Sequence, residues 1–151
     1  MTRIGLRLAL VAMAALLAPP APAQESFRLS GLGGGALTDA DLARGTTIVV
    51  IWASWSPRSR DIVERVNVLA NQWEGRGRVV TVNFQEDGPA IEPFLAGKGL
   101  RPPVYLDRDG VFAKRHKVFN LPGLVVFVDG RTAYSGKLPD DPDRLLSEVL
   151  R

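Results

Sequence analysis

Ile48-Val-Val-Ile-Trp-Ala-Ser-Trp-Ser-Pro-Arg-Ser-Arg60 joins an unbroken apolar run to an abrupt helix-start signal. Val49, Val50 and Ile51 are β-branched and flanked by polar residues, the pattern of a strand buried on both faces of a sheet. Ser56 followed by Pro57 predicts a helix start. A serine oxygen can accept from a backbone N–H two or three residues on, and proline's fixed φ suits the first helical position. Ile62, Val66, Leu69, Ala70 and Trp73 then recur at three- and four-residue steps, predicting one helix from Ser56 to about Trp73. A central strand thus runs straight to an exposed helix N-terminus with unpaired N–H groups and a positive dipole end.

Outward from this stretch the chain alternates. Gly75 and Gly77 stop the helix, and Arg78 to Phe84 reads as a second strand, parallel to the first across a helical crossover. Gly88-Pro89 opens another helix, with Ile91, Phe94 and Leu95 on its buried face and Gly97 and Gly99 at its end. Val104 to Leu106 is a short strand, Asp107 to Gly110 a turn, and Val111 to Phe119 a helix. Leu124 to Val128 and Arg131 to Lys137 pair as strands across Asp129-Gly130, a strong hairpin signal. Pro142 and Asp143 open a closing helix through Leu145, Leu146, Val149 and Leu150. Before the central strand, Phe27 to Leu29 is a short strand and Gly31 to Gly35 a loop. Thr38 caps a turn through Asp39 to Leu42 that ends at Gly45. There is neither an internal repeat nor a phosphate-binding glycine pattern.

Residues 1–23 have the form of a cleavable secretory signal: Arg3 and Arg7, an apolar core from Leu8 to Leu17, and Ala21-Pro22-Ala23 at the cleavage positions. The core is short for a membrane span, which needs about 20 apolar residues; an uncleaved anchor is the alternative. Cleavage leaves residues 24–151 as one domain with no membrane span. The net charge of +3 on 151 residues includes Arg3 and Arg7; without them 17 basic residues face 16 acidic ones, for a net charge of +1. Such a balance gives no reason to expect nucleic acid as a partner. The chain has no cysteine, so an exported protein here has no disulfide to form. His116 is the only histidine, which excludes a multi-histidine metal site; no metal or cofactor is expected.

Trp52-Ala-Ser-Trp-Ser-Pro-Arg-Ser-Arg60 resembles the W-A-x-W-C-x-x-C-R segment of thioredoxin-fold proteins, most nearly the periplasmic TlpA/ResA type that serves disulfide exchange and cytochrome c maturation. Val82-Asn83, Leu121-Pro122 and Asp129-Gly130 follow in the order of that family, and the resemblance covers about residues 27–150. It implies an α/β thioredoxin-like fold: a mixed central β-sheet flanked by helices, with a TlpA/ResA-type helix-strand insertion formed by the helix from Gly88 and the strand at Val104–Leu106.

Ser56 and Ser59 fall where the family has its two cysteines. The helix N-terminus that stabilises a thiolate does little for serine, whose hydroxyl is a far weaker acid. A serine nucleophile needs a positioned base, and His116 lies in Lys114-Arg-His-Lys117, which reads as a solvated helix face. No catalytic residue is therefore expected. The plain structural reading has Ser56 capping the helix and Ser59 facing solvent or the first turn. Val50 stands where many thioredoxins carry a buried aspartate that serves proton transfer, although the TlpA/ResA type often has asparagine there. Glu86, in Val82-Asn-Phe-Gln-Glu86, resembles a family glutamate that approaches the active site; otherwise it is an ordinary loop acid. Pro122 matches the family's cis-proline, whose loop offers backbone groups to an extended peptide.

Trp55, Ser56, Arg58, Leu121, Pro122 and Gly123 are the expected binding groove, with Glu86 a possible site carboxylate. Three readings follow. The first is a non-catalytic exported protein, periplasmic or otherwise in the cell envelope, whose groove binds or stabilises a polypeptide partner. The second is thiol-disulfide oxidoreductase activity, by ancestry or if both serines were engineered from cysteines. The third is small-anion binding by Arg58 at the helix N-terminus.

Overall fold

The computed structural model describes residues 26–151. The expected signal peptide at 1–23 lies outside the described residues. Seven strands and five α-helices follow in the order β1 (Arg28–Gly31), β2 (Ala36–Thr38), α1 (Asp39–Leu42), β3 (Thr46–Trp52), α2 (Ile62–Trp73), β4 (Arg78–Phe84), α3 (Gly88–Leu95), β5 (Val104–Asp107), α4 (Val111–Arg115), β6 (Gly123–Val128), β7 (Arg131–Lys137) and α5 (Pro142–Val149). All strands join one sheet in the order β2-β1-β5-β4-β3-β6-β7. β3 is parallel to β4 and antiparallel to β6, so the sheet is mixed, as expected. α3 and β5 form the expected insertion, and β5 extends the sheet beyond β4 as its parallel neighbour.

β3 explains why the sheet needs cover on both sides. Successive strand residues point to opposite faces. Ile48, Val50 and Trp52 pack with Ile62, Val66, Leu69 and Trp73 of α2 and Leu146 of α5. Val49 and Ile51 pack with Leu42 of α1, Phe112 of α4 and Leu29 and Leu37 of the first hairpin. Every one of these β3 side chains is fully buried. The apolar stripe of α2 faces the first of these layers, and Trp73 closes its end with Nε1 donating to Asp143 at 3.0 Å.

Four local expectations differ from the structure. The glycine-rich segment is a tight turn between two short strands, and the second of them, Ala36–Thr38, has no signal in the sequence because three residues are too few to show a period. The helix expected from Ser56 is interrupted. Pro57–Ser59 forms a three-residue 3-10 turn, and the α-helix starts only at Ile62. The helix expected over Val111 to Phe119 stops at Arg115, with Lys117 in the left-handed region at φ 56°. Its start is held by Asp107. That fully buried carboxylate accepts from the N–H groups of Phe112 at 3.1 Å and Ala113 at 3.0 Å, and burial pushes its pKa up.

His116 is the fourth correction. It is not on a solvated face but half-buried, its ring 4.6 Å from that of Phe112 and 5.0 Å from that of Phe127, and its Nε2 is buried without a hydrogen-bond partner among the described residues. The helix ends one residue earlier, so the chain turns the imidazole inward against the β6 side of the sheet. Burial, and secondarily the Arg115 charge, lower its pKa from the ordinary 6.5, while Asp39 acts weakly the other way.

The consequence has a definite sign. As pH falls through 6.5, the unfolded chain takes up a proton that the folded chain resists, so the fold loses stability from there down to the depressed folded value. Thermal melts between neutral and mildly acidic pH should show this loss, and His116→Phe, which keeps the aromatic packing, should flatten that part of the profile. An unchanged slope in His116→Phe would assign the pH dependence to other groups.

Candidate functional site

β3 and β4 run in parallel and end side by side, with Trp52 opposite Asn83. The segments that leave them therefore emerge at one edge of the sheet. Glu86 bridges them. Its Oε2 accepts from the backbone N–H of Ser54 at 2.8 Å and from Nδ2 of Asn83 at 2.8 Å, and its Oε1 accepts from the hydroxyl of Ser54. Glu86 thus reaches the Trp52–Ser59 segment through Ser54 rather than through Ser56 or Ser59. A carboxylate with these donors plays a structural part, because it fixes the turn by which the chain leaves β3.

Beyond Ser54 the chain bends sharply. Trp55 is 61% exposed, whereas Trp52 and Trp73 are buried. Ser56 is buried, and although it precedes the 3-10 turn its side chain makes no capping hydrogen bond. Ser59 neither faces solvent nor caps anything. It is fully buried, and its Oγ has no partner among the described residues. Asn83 Oδ1 and Trp52 Nε1 are likewise buried and unpartnered among those residues. Trp52 lies against Phe94, ring centroids 5.3 Å apart.

A cavity of about 690 Å3 opens beside Trp55. Trp55, Ser56, Arg58 and Leu121 of the expected groove line it, together with Pro57, Phe84, Lys114, Val118, Phe119 and Asn120. Phe119 is 78% exposed and is the main residue that the sequence reading misses. Sequence pattern places it in a helix; the left-handed turn at Lys117 instead sends Val118 into the core and Phe119 outward. An aromatic residue two positions before Leu121-Pro122 is the available signal.

Pro122 lies next door. The Leu121-Pro122 bond is cis, and Pro122 lines an adjoining cavity of about 400 Å3 that shares Pro57 and Arg58 with the first. Gly123 lines neither cavity, contrary to expectation. It opens β6 in the buried layer, where a Cβ would meet Val118 Cγ1 at 2.2 Å, so its lack of a side chain serves packing. Another cavity, of about 840 Å3, lies beside His116 and Phe127, toward the end of the sheet where β3 begins and away from Trp55.

Among the described residues, neither the Ser56 nor the Ser59 hydroxyl is hydrogen-bonded to a base. His116, packed on Phe127, belongs to the other end of the sheet, and Glu86 is engaged by Ser54 and Asn83. Nor does Arg58 stand at the start of an α-helix: it is the middle residue of the three-residue 3-10 turn. What remains is an apolar depression with two exposed aromatic rings and a cationic rim.

Two substitutions test this arrangement through stability. Glu86→Gln keeps the size of the side chain but turns an amide N–H2 toward donors. It should cost about 1–3 kcal/mol in chemical unfolding, and a neutral result would mean that the clamp does not hold the turn. Ser59→Ala should raise stability by about 1 kcal/mol, because a buried hydroxyl without a partner is removed; a loss of similar size would reveal a partner for that hydroxyl.

No protein-family model matches the sequence, and no curated protein does. Solved structures do match. The pneumococcal exposed lipoprotein thioredoxin Etrx1 from Streptococcus pneumoniae superposes with a TM-score of 0.72 at 17% identity, over 83% of this chain and 98% of that one. StoA from Bacillus subtilis gives 0.68 at 20% identity, over 88% and 100%. A secreted Mycobacterium tuberculosis disulfide oxidoreductase gives 0.65 at 21% identity, over 82% and 94%. At such identities the likeness is one of fold. The chain has the thioredoxin-like fold, and it carries that fold without a cysteine.

Proposed function

We propose that this protein is an exported, redox-inactive thioredoxin-like module that binds an extended polypeptide in the depression beside Trp55. The observation that carries the reading is the pairing of two outward aromatic side chains, Trp55 at 61% and Phe119 at 78% exposure, across a cavity of about 690 Å3 that continues past Leu121. Large exposed aromatic groups around one concavity are costly to leave in water, and contact with a partner recovers that cost. The main chain of Leu121 supports an extended ligand. Its N–H and C=O make no hydrogen bond among the described residues, while the neighbouring Pro122 carbonyl is already taken by the N–H of Leu138 at 2.9 Å. An added strand could use those groups for alignment and the aromatic pocket for side-chain selection.

Chemistry gives way to binding because the chain supplies no thiol. The small-anion reading at Arg58 loses its basis in a three-residue 3-10 turn, which has no extended helix dipole. Export to the cell envelope rests on the signal-like residues 1–23, and the exposed and secreted character of the pneumococcal and mycobacterial proteins agrees with it. Among the described residues no helix is long and apolar enough to cross a membrane.

Tryptophan emission tests the reading directly, since Trp55 is the exposed one of the three. Titration with an unfolded polypeptide lacking tryptophan and cysteine should give a saturable blue shift as Trp55 leaves water. Phe119→Asp should abolish it without altering the melting transition. An unshifted spectrum at high polypeptide concentration, or equal binding by Phe119→Asp, would overturn the proposal.

A further inference from the structure

We propose that the depression selects acidic polypeptide segments, in which carboxylates alternate with large apolar side chains. This deepens the polypeptide-binding reading and rests on it. The charges around the cavity are one-sided. Among the described residues, Arg58 and Lys114 are its only charged lining residues, both are exposed, and neither makes an ion pair. They come from different elements, the 3-10 turn and α4, and line the same largely apolar cavity.

The carboxylate that clamps the turn after β3 does not neutralise them. Glu86 is absent from the cavity lining, and its oxygens are engaged by Ser54 and Asn83. The excess continues into the adjoining cavity past Pro122, where Arg58, Arg60, Arg65 and Lys137 stand against Asp61 and Asp140. Arg65 there is partly committed, donating to the Pro139 carbonyl at 2.7 Å. Residues 24–151 carry almost no net charge, so this positive face is a local arrangement rather than a reflection of composition.

An extended segment places alternate side chains on opposite sides. A run of alternating acidic and apolar residues would set its apolar groups between Trp55 and Phe119 and its carboxylates toward Arg58 and Lys114. The apolar contacts would supply most of the affinity, and the exposed cations would supply orientation and selectivity.

The probes are short, end-blocked peptides alternating Asp with Phe and Leu, and the same peptides with Asn or Lys in place of Asp. Binding to the protein is followed by Trp55 emission at low and at high salt. The Asp peptide should bind about tenfold more tightly than the Asn peptide at low salt, with the advantage shrinking as salt rises, and the Lys peptide should bind weakest. Arg58→Glu with Lys114→Glu should invert the order, and Arg58→Gln with Lys114→Gln should erase it; both pairs are exposed, and a circular dichroism melt confirms that each variant is folded. Equal binding of all three peptides would overturn the acidic selectivity while leaving the polypeptide-binding reading intact. A preference for Asp that survives charge reversal would overturn it as well, placing the selective charge elsewhere. Failure of every peptide to bind would remove both readings. Tighter binding of a single-stranded oligonucleotide, also anionic and able to stack on Trp55, would replace the polypeptide as occupant.

Discussion

Glu86 ties together the two chain segments that leave the ends of the central parallel strands. Parallel pairing of β3 with β4 brings Ser54 and Glu86 to the same edge, and the carboxylate accepts from the Ser54 N–H and hydroxyl and from the Asn83 amide. Hydrogen bonds to an ionised acceptor are each worth more than neutral ones, about 1.5–3 kcal/mol. With Ser54 held, the next residues have little choice. Trp55 projects outward, Ser56 folds under, and the 3-10 turn through Pro57–Ser59 sends Ser59 into the interior. The shape of the candidate groove is thus set by a carboxylate outside it.

The two serines show what this fold keeps when its edge carries no thiol. A cysteine at a buried position behaves as a small apolar group, whereas a serine brings a hydroxyl that needs a partner. The Ser59 Oγ has none among the described residues. The turn is held by Glu86 and by the packing of Trp52 against Phe94, neither of which depends on the atom at position 59. What this edge presents is surface: aromatic area, a stretch of main chain open to pairing and positive charge.

The order of the elements is legible because each carries its own local signal. The run ending in Trp52 announces a strand covered on both faces, and the spacing from Ile62 to Trp73 announces the helix that covers one of them. Asp129-Gly130 marks the hairpin between β6 and β7, where both residues adopt positive φ. The errors share one cause. Ser56-Pro57 has the chemistry of a helix start, yet the tether at Ser54 and the drop of Ser59 into the core delay α2 until Ile62. Lys114-Arg-His-Lys117 looks solvated by composition, yet α4 ends at Arg115 and the turn presses the imidazole onto Phe127. Gly123 looks like groove floor because it adjoins Pro122, yet it faces Val118 across a packed layer.

Sequence alone determined the alternation of strands and helices, the lack of cysteine and, through the resemblance at Trp52–Arg60, the stretch around which a site was expected. Periodicity, turn residues and residue identity are local properties, and the chain states them without reference to its partners in space. Tertiary structure alone decided which side chains share the groove. Phe119 joins Trp55, Glu86 reaches Ser54 instead of Ser56 or Ser59, Arg58 and Lys114 line one cavity, and His116 goes to the other end of the sheet. Each of those outcomes depends on where loops of different elements emerge from one sheet, and strand order and register set that, through contacts between residues far apart in the chain.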